Sequence, residues 1–386
     1  MRIAQVAPPL EQVPPPKYGG TERVIYALTE ELVRRGHDVT LFASGDSTTS
    51  ARLVPIVDRA IWHHPRYLDH LPFVFTELQT VLERSDEFDI IHSHLDYLAF
   101  PFARQSSTPW VHTLHGRMDL PEYQQLYRAF SDANVISISK NQRRPIPFAH
   151  WVATVYNGIA VSDYPYEART GDYLAFVGRI SPEKNVHIAI EVALKADMPL
   201  KIAARMPLPQ ALNPNDGDDW AYYEQKIKPM LEHPLIEYVG ELDEKQKRAL
   251  LRDAAALINP VNWPEPFGLV MAEALACGTP VIAKRAGSVP EIIDDGRTGF
   301  ICDSAPEMAL LCDRLGEIKR SDCREAAERR FSQSVMAERY EQVYDNVLDS
   351  QVSQRAFSLL RDAGLQADEE PASRAEDDTS KRMSRS

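Results

Sequence analysis

The stretch Pro264-Glu265-Pro266-Phe267-Gly268-Leu269-Val270-Met271-Ala272-Glu273-Ala274 decides the fold class of this 386-residue chain. The apolar run from Ala256 to Asn259 predicts a buried strand before it, and a helix is predicted over 268–276. Strand, loop and helix in this order build α/β sheets. The free backbone amides of Phe267 to Val270, together with the helix dipole, favour an anion such as phosphate at this helix start.

Two carboxylates belong to this stretch. Glu265 lies in the loop, and Glu273 lies one to two turns inside the helix. By local geometry they do not form a close acid/base dyad; this separation suits hydrogen bonds to different hydroxyl groups of an extended ligand, such as a sugar and a ribose. The alternative is an ordinary loop charge and an ordinary exposed helix residue.

Two cations, Arg179 and Lys184, mark a second strand-to-helix junction, between a predicted strand at 173–178 and a predicted helix at 185–196. Ligands of open α/β sheets bind at the carboxyl ends of strands. Arg and Lys at such a place can stabilise a leaving diphosphate without a metal ion. The alternative interpretation is a pair of solvated surface cations.

Alternating strands and helices continue in both directions from these junctions and predict an α/β fold with two mostly parallel sheets, each covered by helices on both faces. The predicted strands are Ile3–Ala7, Val39–Ala43, Asp89–His92, Trp110–Leu114, Asn134–Ile138 and Val152–Val155 in the first half, and Tyr173–Gly178, Leu200–Ala204, Ile236–Val239, Ala256–Asn259, Pro280–Ala283 and Gly299–Ile301 in the second. Further helices are predicted over 21–35, 218–232, 243–253 and 335–348.

This pattern predicts a first domain over 1–160 and a second over 161–334, joined by a turn-rich linker at 157–171. Residues 351–386, rich in Asp, Glu, Ser, Arg and Lys toward the end, are predicted to be disordered except for one weak helix near 355–365.

Composition narrows the function classes. The chain is 44% hydrophobic and 26% charged, as in ordinary soluble proteins, and no apolar run is long enough to cross a bilayer. Its start reads as a strand and not as a signal peptide, so we expect a cytoplasmic location. The net charge of −13 argues against a nucleic-acid partner. The four cysteines lack paired short spacings, which favours reduced thiols over a zinc site.

The pair Gly19-Gly20 follows the first strand and a proline-rich loop, and it opens a helix. Glycines there let the backbone approach a ligand closely, although a simple turn and helix start explains them equally well. The dinucleotide-binding pattern G-x-G-x-x-G is absent from this place.

Two groups of residues could suggest metal ligands. His92 and His94 face one side of a strand, but no third ligand is apparent, so a structural role or a sugar contact is favoured. Asp216, Asp218 and Asp219 lie in a loop away from any phosphate-binding pattern and are interpreted as solvated charge. No metal site is predicted.

The order of these pieces resembles the family-four retaining glycosyltransferases, which have the GT-B fold. The matching pieces are Gly19–Glu22, His92–His94, His115-Gly116, Ser137–Ser139, Asn157–Ile159, Gly178–Asn185, Glu265–Ala274, Cys277–Val281 and Pro290–Gly299. The resemblance implies two Rossmann-like parallel-sheet domains facing a central cleft, and a C-terminal helix at about 335–349 that packs back on the first domain. The linker would be the hinge.

The resemblance also implies an activity: transfer of a hexose from a UDP-, GDP- or ADP-sugar to a hydroxyl group of a small-molecule, glycan or lipid acceptor. It implies retention at the anomeric carbon, without a metal ion or another cofactor. Arg179 and Lys184 match the residues that bind the donor diphosphate in this family, and Glu273 matches the one that holds the ribose.

Further roles follow from the same resemblance. Glu265 and His115 would contact the transferred sugar, helped by the backbone of Phe267, Gly268 and Leu269. Gly19 and Gly20 would form the glycine loop that closes over the donor phosphates.

Two features depart from the family pattern. The segment Ala286–Glu291 has one glycine where relatives often show two, and the loop 207–219 is long and acidic. Both bear on substrate choice. Two alternative functions remain open at this point, namely a GT-B phosphorylase and a non-catalytic nucleotide-sugar-binding protein.

Overall fold

Two parallel β-sheets organise the chain in the computed structural model, which describes residues 1–17, 19–62, 67, 69–209, 211 and 217–362, with side chains up to residue 353. Within these residues, the first sheet has seven strands: β1 (Arg2–Val6), β2 (Asp38–Ser44), β3 (Arg52–Val57), β4 (Ile90–Ser93), β5 (Trp110–Leu114), β6 (Val135–Ser137) and β7 (Trp151–Thr154). The second has six: β8 (Leu174–Arg179), β9 (Leu200–Arg205), β10 (Ile236–Gly240), β11 (Ala256–Asn259), β12 (Val281–Lys284) and β13 (Gly299–Cys302).

Helices connect the strands. They are α1 (Gly20–Arg34), α2 (Leu71–Glu83), α3 (Phe100–Ala103), α4 (Pro121–Ala129), α5 (Val186–Lys195), α6 (Gly217–Tyr222), α7 (Glu244–Asp253), α8 (Leu269–Ala276), α9 (Val289–Ile292), α10 (Ala305–Cys312), α11 (Arg320–Phe331) and α12 (Gln333–Asp362). In α5, the apolar residues Val186, Ala189, Ile190 and Ala193 recur at helical spacing and are fully buried in the core of the second sheet. Burial of one such Val or Ile side chain contributes roughly 1.5–3 kcal/mol.

Both sheets change strand order at their first strand. The order is β3-β2-β1-β4-β5-β6-β7 in the first sheet and β10-β9-β8-β11-β12-β13 in the second. Open sheets of this kind form a crevice where the order reverses, which here lies between β1 and β4 and between β8 and β11. The prediction of an α/β fold with two Rossmann-like parallel sheets is confirmed.

The sequence prediction left out several helices, among them α2, α4, α10 and α11, and two further differences have a clear physical reason. Strand β3 was not predicted, because it lies at the sheet edge, contains Pro55 and is partly exposed along its length, so it lacks a buried apolar run. The helix predicted over 218–232 is a regular α-helix only in α6. It continues as a π-helical turn at 223–227 and as a 3₁₀ helix at 228–232. Pro229 has no backbone N–H to extend a regular ladder there.

Two chain segments cross between the sheets, and they lie side by side. The backbone N–H of Ile159 donates to the carbonyl of Phe331 at 2.8 Å, and that of Gln333 donates to the carbonyl of Ile159 at 2.8 Å. A Cβ atom on Gly158 would lie 2.7 Å from the Met336 side chain, so the two segments pack too closely for any larger residue. The crossings therefore act as one connection.

After the second crossing, α12 returns to the first sheet. The hydroxyl groups of Tyr340 and Tyr344, both fully buried, lie 2.9 Å from Thr113 Oγ1 and 2.8 Å from His92 Nδ1. These contacts lie within residues 1–344, which form one compact unit.

Residues 345–386 form a second unit. Its described part is helical, because α12 continues through 351–362, whereas only a weak helix near 355–365 was predicted within an otherwise disordered tail. Extending an existing helix needs no new nucleus, so weak local propensity suffices. Residues 363–386 of the predicted tail lie outside the described residues, as does Asp216 of the acidic loop. None of the described helices is both long and apolar enough to span a membrane.

One buried carboxyl group gives the first sheet a pH-dependent stability. Glu77 on α2 is fully buried, and neither of its carboxylate oxygens has a hydrogen-bond partner in the described structure. Burial raises the pKa of Glu77 well above its usual range. The unfolded chain loses this proton from about pH 4 upward, whereas the folded protein retains it to higher pH. The folded state therefore loses stability as the pH rises through the interval between these two pKa values.

We predict that Glu77→Gln raises the melting temperature by a few degrees at pH 8 and has little effect at pH 5, because each unit of raised pKa corresponds to about 1.4 kcal/mol. Thermal unfolding at both pH values measures this. Glu83→Gln, at an exposed position of the same helix, is the control and should show no such difference. An equal gain at both pH values would contradict the explanation.

Candidate active site

A cleft of about 480 Å³ lies where the carboxyl ends of strands from both sheets meet. Its walls come from the loop after β1 and the start of α1 on one side, and from the ends of β8, β9 and β11 and the start of α8 on the other. All ten residues predicted as site residues line this one cleft: Gly19, Gly20, His115, Arg179, Lys184, Glu265, Phe267, Gly268, Leu269 and Glu273.

Lys184 and Glu265 form an ion pair that joins two loops of the second sheet. The Lys184 ammonium donates to Glu265 Oε1, and both side chains are largely buried, at 14% and 17% exposed. The loops are also tied through Asn185, whose side-chain amide donates to the carbonyl of Pro260 at 3.0 Å, and through Asn262, whose N–H donates to the carbonyl of Glu183 at 3.0 Å. The β8–α5 and β11–α8 loops therefore hold each other in place.

Arg179 is the last residue of β8, and its guanidinium donates to Glu183 in the 3₁₀ turn that follows. Burial alone would raise the pKa of Glu183, but a hydrogen bond from its own backbone and the Arg179 contact hold that pKa below its usual value. Arg179 is thus kept beside Lys184 at the crevice between β8 and β11.

Glu273 lies inside α8 and is held by two side chains that the sequence reasoning did not single out. Lys247 Nζ donates to Glu273 Oε1 at 2.6 Å, and the hydroxyl of Tyr164 donates to the same oxygen at 3.1 Å. Burial would raise the pKa of Glu273, yet the ammonium of Lys247 outweighs it, so the pKa lies below its usual value. Glu273 is therefore a carboxylate anion at neutral pH.

The first-sheet wall of the cleft is the Gly19-Gly20 pair. Gly19 has φ +154°, and a Cβ atom there would lie 2.7 Å from Pro15, so the turn requires glycine. A Cβ atom on Gly20 would meet no protein atom within 4 Å, because this residue faces open space. Packing against protein atoms therefore does not explain the second glycine.

Charged pairs connect this wall to the second sheet across the cleft. Arg23 on α1 lies 3.0 Å from Glu244 on α7, and Lys17 lies 3.8 Å from Glu241. Glu244 also accepts from Lys247 at 2.6 Å. A continuous set of charges thus runs from α1 to Glu273.

Gly287 is the single glycine of the segment 286–291, which differs from the family pattern. It packs against the backbone of the Glu265 loop. Its φ is +51°, and a Cβ atom would lie 2.4 Å from the carbonyl oxygen of Glu265. The next residue, Ser288, donates from its N–H to that oxygen at 3.1 Å and from its hydroxyl to the carbonyl of Phe267 at 2.6 Å. The segment 286–291 therefore positions the Glu265 loop, although none of its residues lines the cleft.

His115 follows β5 and lines the cleft on the first-sheet side. Burial lowers its pKa to about 4, so the ring is neutral at physiological pH. Its Nε2 lies 2.9 Å from Nδ1 of His94, and its backbone N–H donates to Asp96 at 3.1 Å. His92 and His94 are both buried and bonded to neighbouring side chains.

No group of three metal-ligating side chains is assembled in the parts of the chain that the structure describes. The described members of the acidic loop, Asp218 and Asp219, belong to the first turn of α6.

Several further residues that line or support the site could not be predicted from local sequence patterns. Lys247 belongs to a charged run at the start of α7 that reads as a solvated face, and Tyr164 belongs to the linker. Trp263 lines the cleft, and its indole N–H is buried and unbonded in the described structure. The cations Lys184 and Arg117 lie 5.8 and 5.7 Å from the centre of its ring. Only the fold brings such distant positions together.

Comparison with known proteins agrees with this architecture. A model described as "Glycosyltransferase Family 4" matches residues 18–162, and one described as "Glycosyl transferases group 1" matches residues 166–332. The chain is 26% identical to the phosphatidyl-myo-inositol mannosyltransferase of Mycobacterium tuberculosis, over 91% of this chain and 98% of that protein. It is 27% identical to glycogen synthase of the same organism, over 78% and 82%.

A solved structure has the same fold. HepE of Anabaena, crystallised in complex with UDP and glucose, is 18% identical to this chain and superposes with a TM-score of 0.66 over 90% of this chain and 100% of its own. The two family models match the two sheets in turn, and with this shared fold they show that the chain belongs to the family-four glycosyltransferases, with the GT-B architecture.

Proposed function

We propose that this glycosyltransferase moves a hexose from a nucleotide-diphosphate sugar to a hydroxyl acceptor, with retention at the anomeric carbon and without a metal ion or another cofactor. One observation carries the proposal: Arg179, Lys184 and the start of α8 line the same cleft as two carboxylates, Glu265 and Glu273. Such a set of groups matches a ligand that carries both a diphosphate and hydroxyl groups. The complex of HepE with UDP and glucose supports a donor of this class.

In this proposal the diphosphate lies against Arg179, Lys184 and the first amides of α8. Glu273, kept anionic by Lys247, accepts hydrogen bonds from the ribose hydroxyls. Glu265 and His115 contact the transferred sugar, and the backbone of Phe267, Gly268 and Leu269 completes that wall. Lys184 exchanges part of its contact with Glu265 for the diphosphate, so one ion pair links the two halves of the donor.

The chemical step follows from this placement. Arg179 and Lys184 stabilise the negative charge that develops on the diphosphate as the bond from the anomeric carbon to its oxygen breaks. The acceptor oxygen forms its new bond on the same face, and its proton passes to the departing diphosphate. Glu265 and Glu273 are each paired with a lysine, which suits ligand binding more than nucleophilic attack.

The Gly19-Gly20 wall would close over the donor phosphates. Its second glycine leaves open space, and the Arg23–Glu244 pair connects the wall to α7 next to Lys247. Exclusion of water by such closure limits hydrolysis of the donor. The acceptor would enter from the first-sheet side, and the predicted cytoplasmic location remains part of this proposal.

The proposal predicts that one of three donor classes, a UDP-, GDP- or ADP-sugar, raises the melting temperature. A ligand at 100 times its Kd adds about 2.7 kcal/mol to the stability of the folded state. Lys184→Ala should weaken binding of that donor about 10- to 100-fold, because a hydrogen bond to a charged group contributes roughly 1.5–3 kcal/mol. Thermal-shift titrations of both proteins measure the two affinities.

Lys195→Ala, at an exposed position at the end of α5, is the matched control and should bind like the unchanged protein. Equal affinities for Lys184→Ala and Lys195→Ala would reject the diphosphate role. Donor binding without turnover on a broad panel of acceptors would instead support a non-catalytic sugar-nucleotide-binding protein, and release of sugar 1-phosphate with inorganic phosphate would support a phosphorylase.

A chelator tests the metal-free mechanism. We predict that donor turnover, followed as release of nucleoside diphosphate, is the same in excess EDTA and in magnesium, because Arg179 and Lys184 supply the positive charge. Complete loss of turnover in EDTA with recovery on adding a divalent ion would contradict this part of the proposal.

The support behind the Glu265 loop can be tested with two glycines. Gly287→Ala forces the Glu265 backbone to move, so we predict a loss of turnover of at least about tenfold. Gly296→Ala is the control, because Gly296 also has a positive φ of +74° but a Cβ atom there meets nothing within 4 Å. Both variants share the strain of an L-residue at positive φ, roughly 1–2 kcal/mol, and only the first should lose activity. Equal activities would show that Gly287 does not shape the site.

A further inference from the structure

A buried set of hydrogen bonds leads from the cleft histidine into the first sheet. Starting at His115, it passes through His94, Gln5, Tyr344, His92, Thr113 and Tyr340, and the bonded atoms lie between 2.7 and 3.1 Å apart at each step. Apart from His115, every member is at most 2% exposed. We call this set the polar relay. Its last members, Tyr340 and Tyr344, come from α12.

The direction of the relay is decided at Gln5, because a side-chain amide has two hydrogens on one end and only lone pairs on the other. One end of this amide has two neighbours, the Tyr344 hydroxyl at 3.1 Å and His92 Nδ1 at 3.4 Å. The other end has one neighbour, His94 Nε2 at 2.9 Å. The NH₂ group belongs at the end with two acceptors, since the reverse orientation leaves a buried N–H without a partner.

With the Gln5 amide oriented in this way, the nitrogen that carries the ring proton is determined for both His94 and His115. Gln5 Oε1 can only accept, so His94 carries its proton on Nε2 and has a lone pair on Nδ1. That lone pair faces Nε2 of His115 at 2.9 Å, so His115 must donate from Nε2. The pKa values of His94 and His115 are both lowered by burial, which keeps each ring neutral with a single proton.

At the other end of Gln5, the relay continues in the same sense. The amide NH₂ donates to the hydroxyl of Tyr344, whose own proton goes to Nδ1 of His92. His92 then donates from Nε2 to the hydroxyl oxygen of Thr113 at 2.7 Å. Nδ1 of His92 accepts from the Tyr344 hydroxyl at 2.8 Å and, over the longer distance of 3.4 Å, shares its lone pair with the second N–H of Gln5. No step brings two protons or two lone pairs together.

We propose that His94 and Gln5 are positioning residues that hold His115 in its Nε2–H tautomer, so that Nδ1 remains an acceptor toward the cleft. This rests on the proposed function for the sugar contact of His115. An unprotonated Nδ1 accepts from a sugar hydroxyl, and no described residue is bonded to it. The opposite tautomer would present an N–H to the ligand and would place two lone pairs against each other, 2.9 Å apart.

The tautomer can be read directly in the unchanged protein. Long-range ¹H–¹⁵N correlation spectra of histidine-labelled full-length protein distinguish a protonated from an unprotonated ring nitrogen, and the His115→Gln spectrum assigns the His115 signals. We expect Nε2 of His115 to be protonated and Nδ1 to be unprotonated without any donor present. A protonated Nδ1 would overturn the inference. Because this measurement needs no activity, its failure is separate from failure of the proposed function.

Two variants of His94 test the positioning role. Asn at this position can place an amide oxygen near the site of Nδ1, whereas Leu has a similar size and no acceptor. We expect His94→Asn to retain the Nε2–H tautomer of His115 and His94→Leu to lose it. Turnover should fall about tenfold or more in His94→Leu relative to His94→Asn, with a smaller change in the donor KM.

Both variants remove the ring and its contact with Gln5, so they share any purely structural loss. Equal tautomers and equal turnover in the two variants would overturn the inference. If His94→Leu does not fold, the comparison of His94→Asn with the unchanged protein still tests it, because loss of the tautomer in a folded His94→Asn variant would contradict the role of the accepting atom.

Discussion

The hydrogen bonds between the two chain crossings, from Ile159 to Phe331 and from Gln333 to Ile159, are the constraint on which the site depends. Each sheet by itself has a crevice at its change of strand order, and neither crevice holds all the site residues. Because the crossings are bonded to each other, both sheets leave one connection with their carboxyl ends toward the same cleft. Glu291 adds a second contact there, accepting from the backbone of Lys140 and Asn141 at 2.7 and 2.8 Å.

Within the cleft, charge is balanced in pairs. Lys184 is matched by Glu265, Lys247 by Glu273 and Glu244, and Arg23 by Glu244. An isolated charge in such a partly buried place would be costly, whereas a paired one can exchange its partner for a ligand of the same sign. The charged side chains of the cleft are therefore held in place by their partners, and each cation can accept a ligand anion in place of a carboxylate.

The sequence predicted what depends on local pattern. Buried parallel strands such as β11 are continuous apolar runs, and the junctions at Arg179 and Gly268 follow from strand ends and helix starts. The sequence did not predict β3, because its residues are all partly or fully exposed and show no alternation of apolar and polar side chains. It also did not predict Lys247, because the neighbouring residues in sequence are charged as well. The supporting role of Gly287 was equally hidden, because only the packed structure places it against Glu265, 22 positions earlier.

The return of α12 has a consequence for the order of events during synthesis. The polar interior of the first sheet is completed by Tyr340 and Tyr344, although its last strand ends at Thr154. While the ribosome is still making the second sheet, His92, Gln5 and Thr113 lack those hydroxyl partners. Because buried polar groups without partners are destabilising, the N-terminal half cannot reach its final stability as an independent unit ahead of the rest. The two halves of the chain are therefore expected to reach their fully folded state together, late in translation.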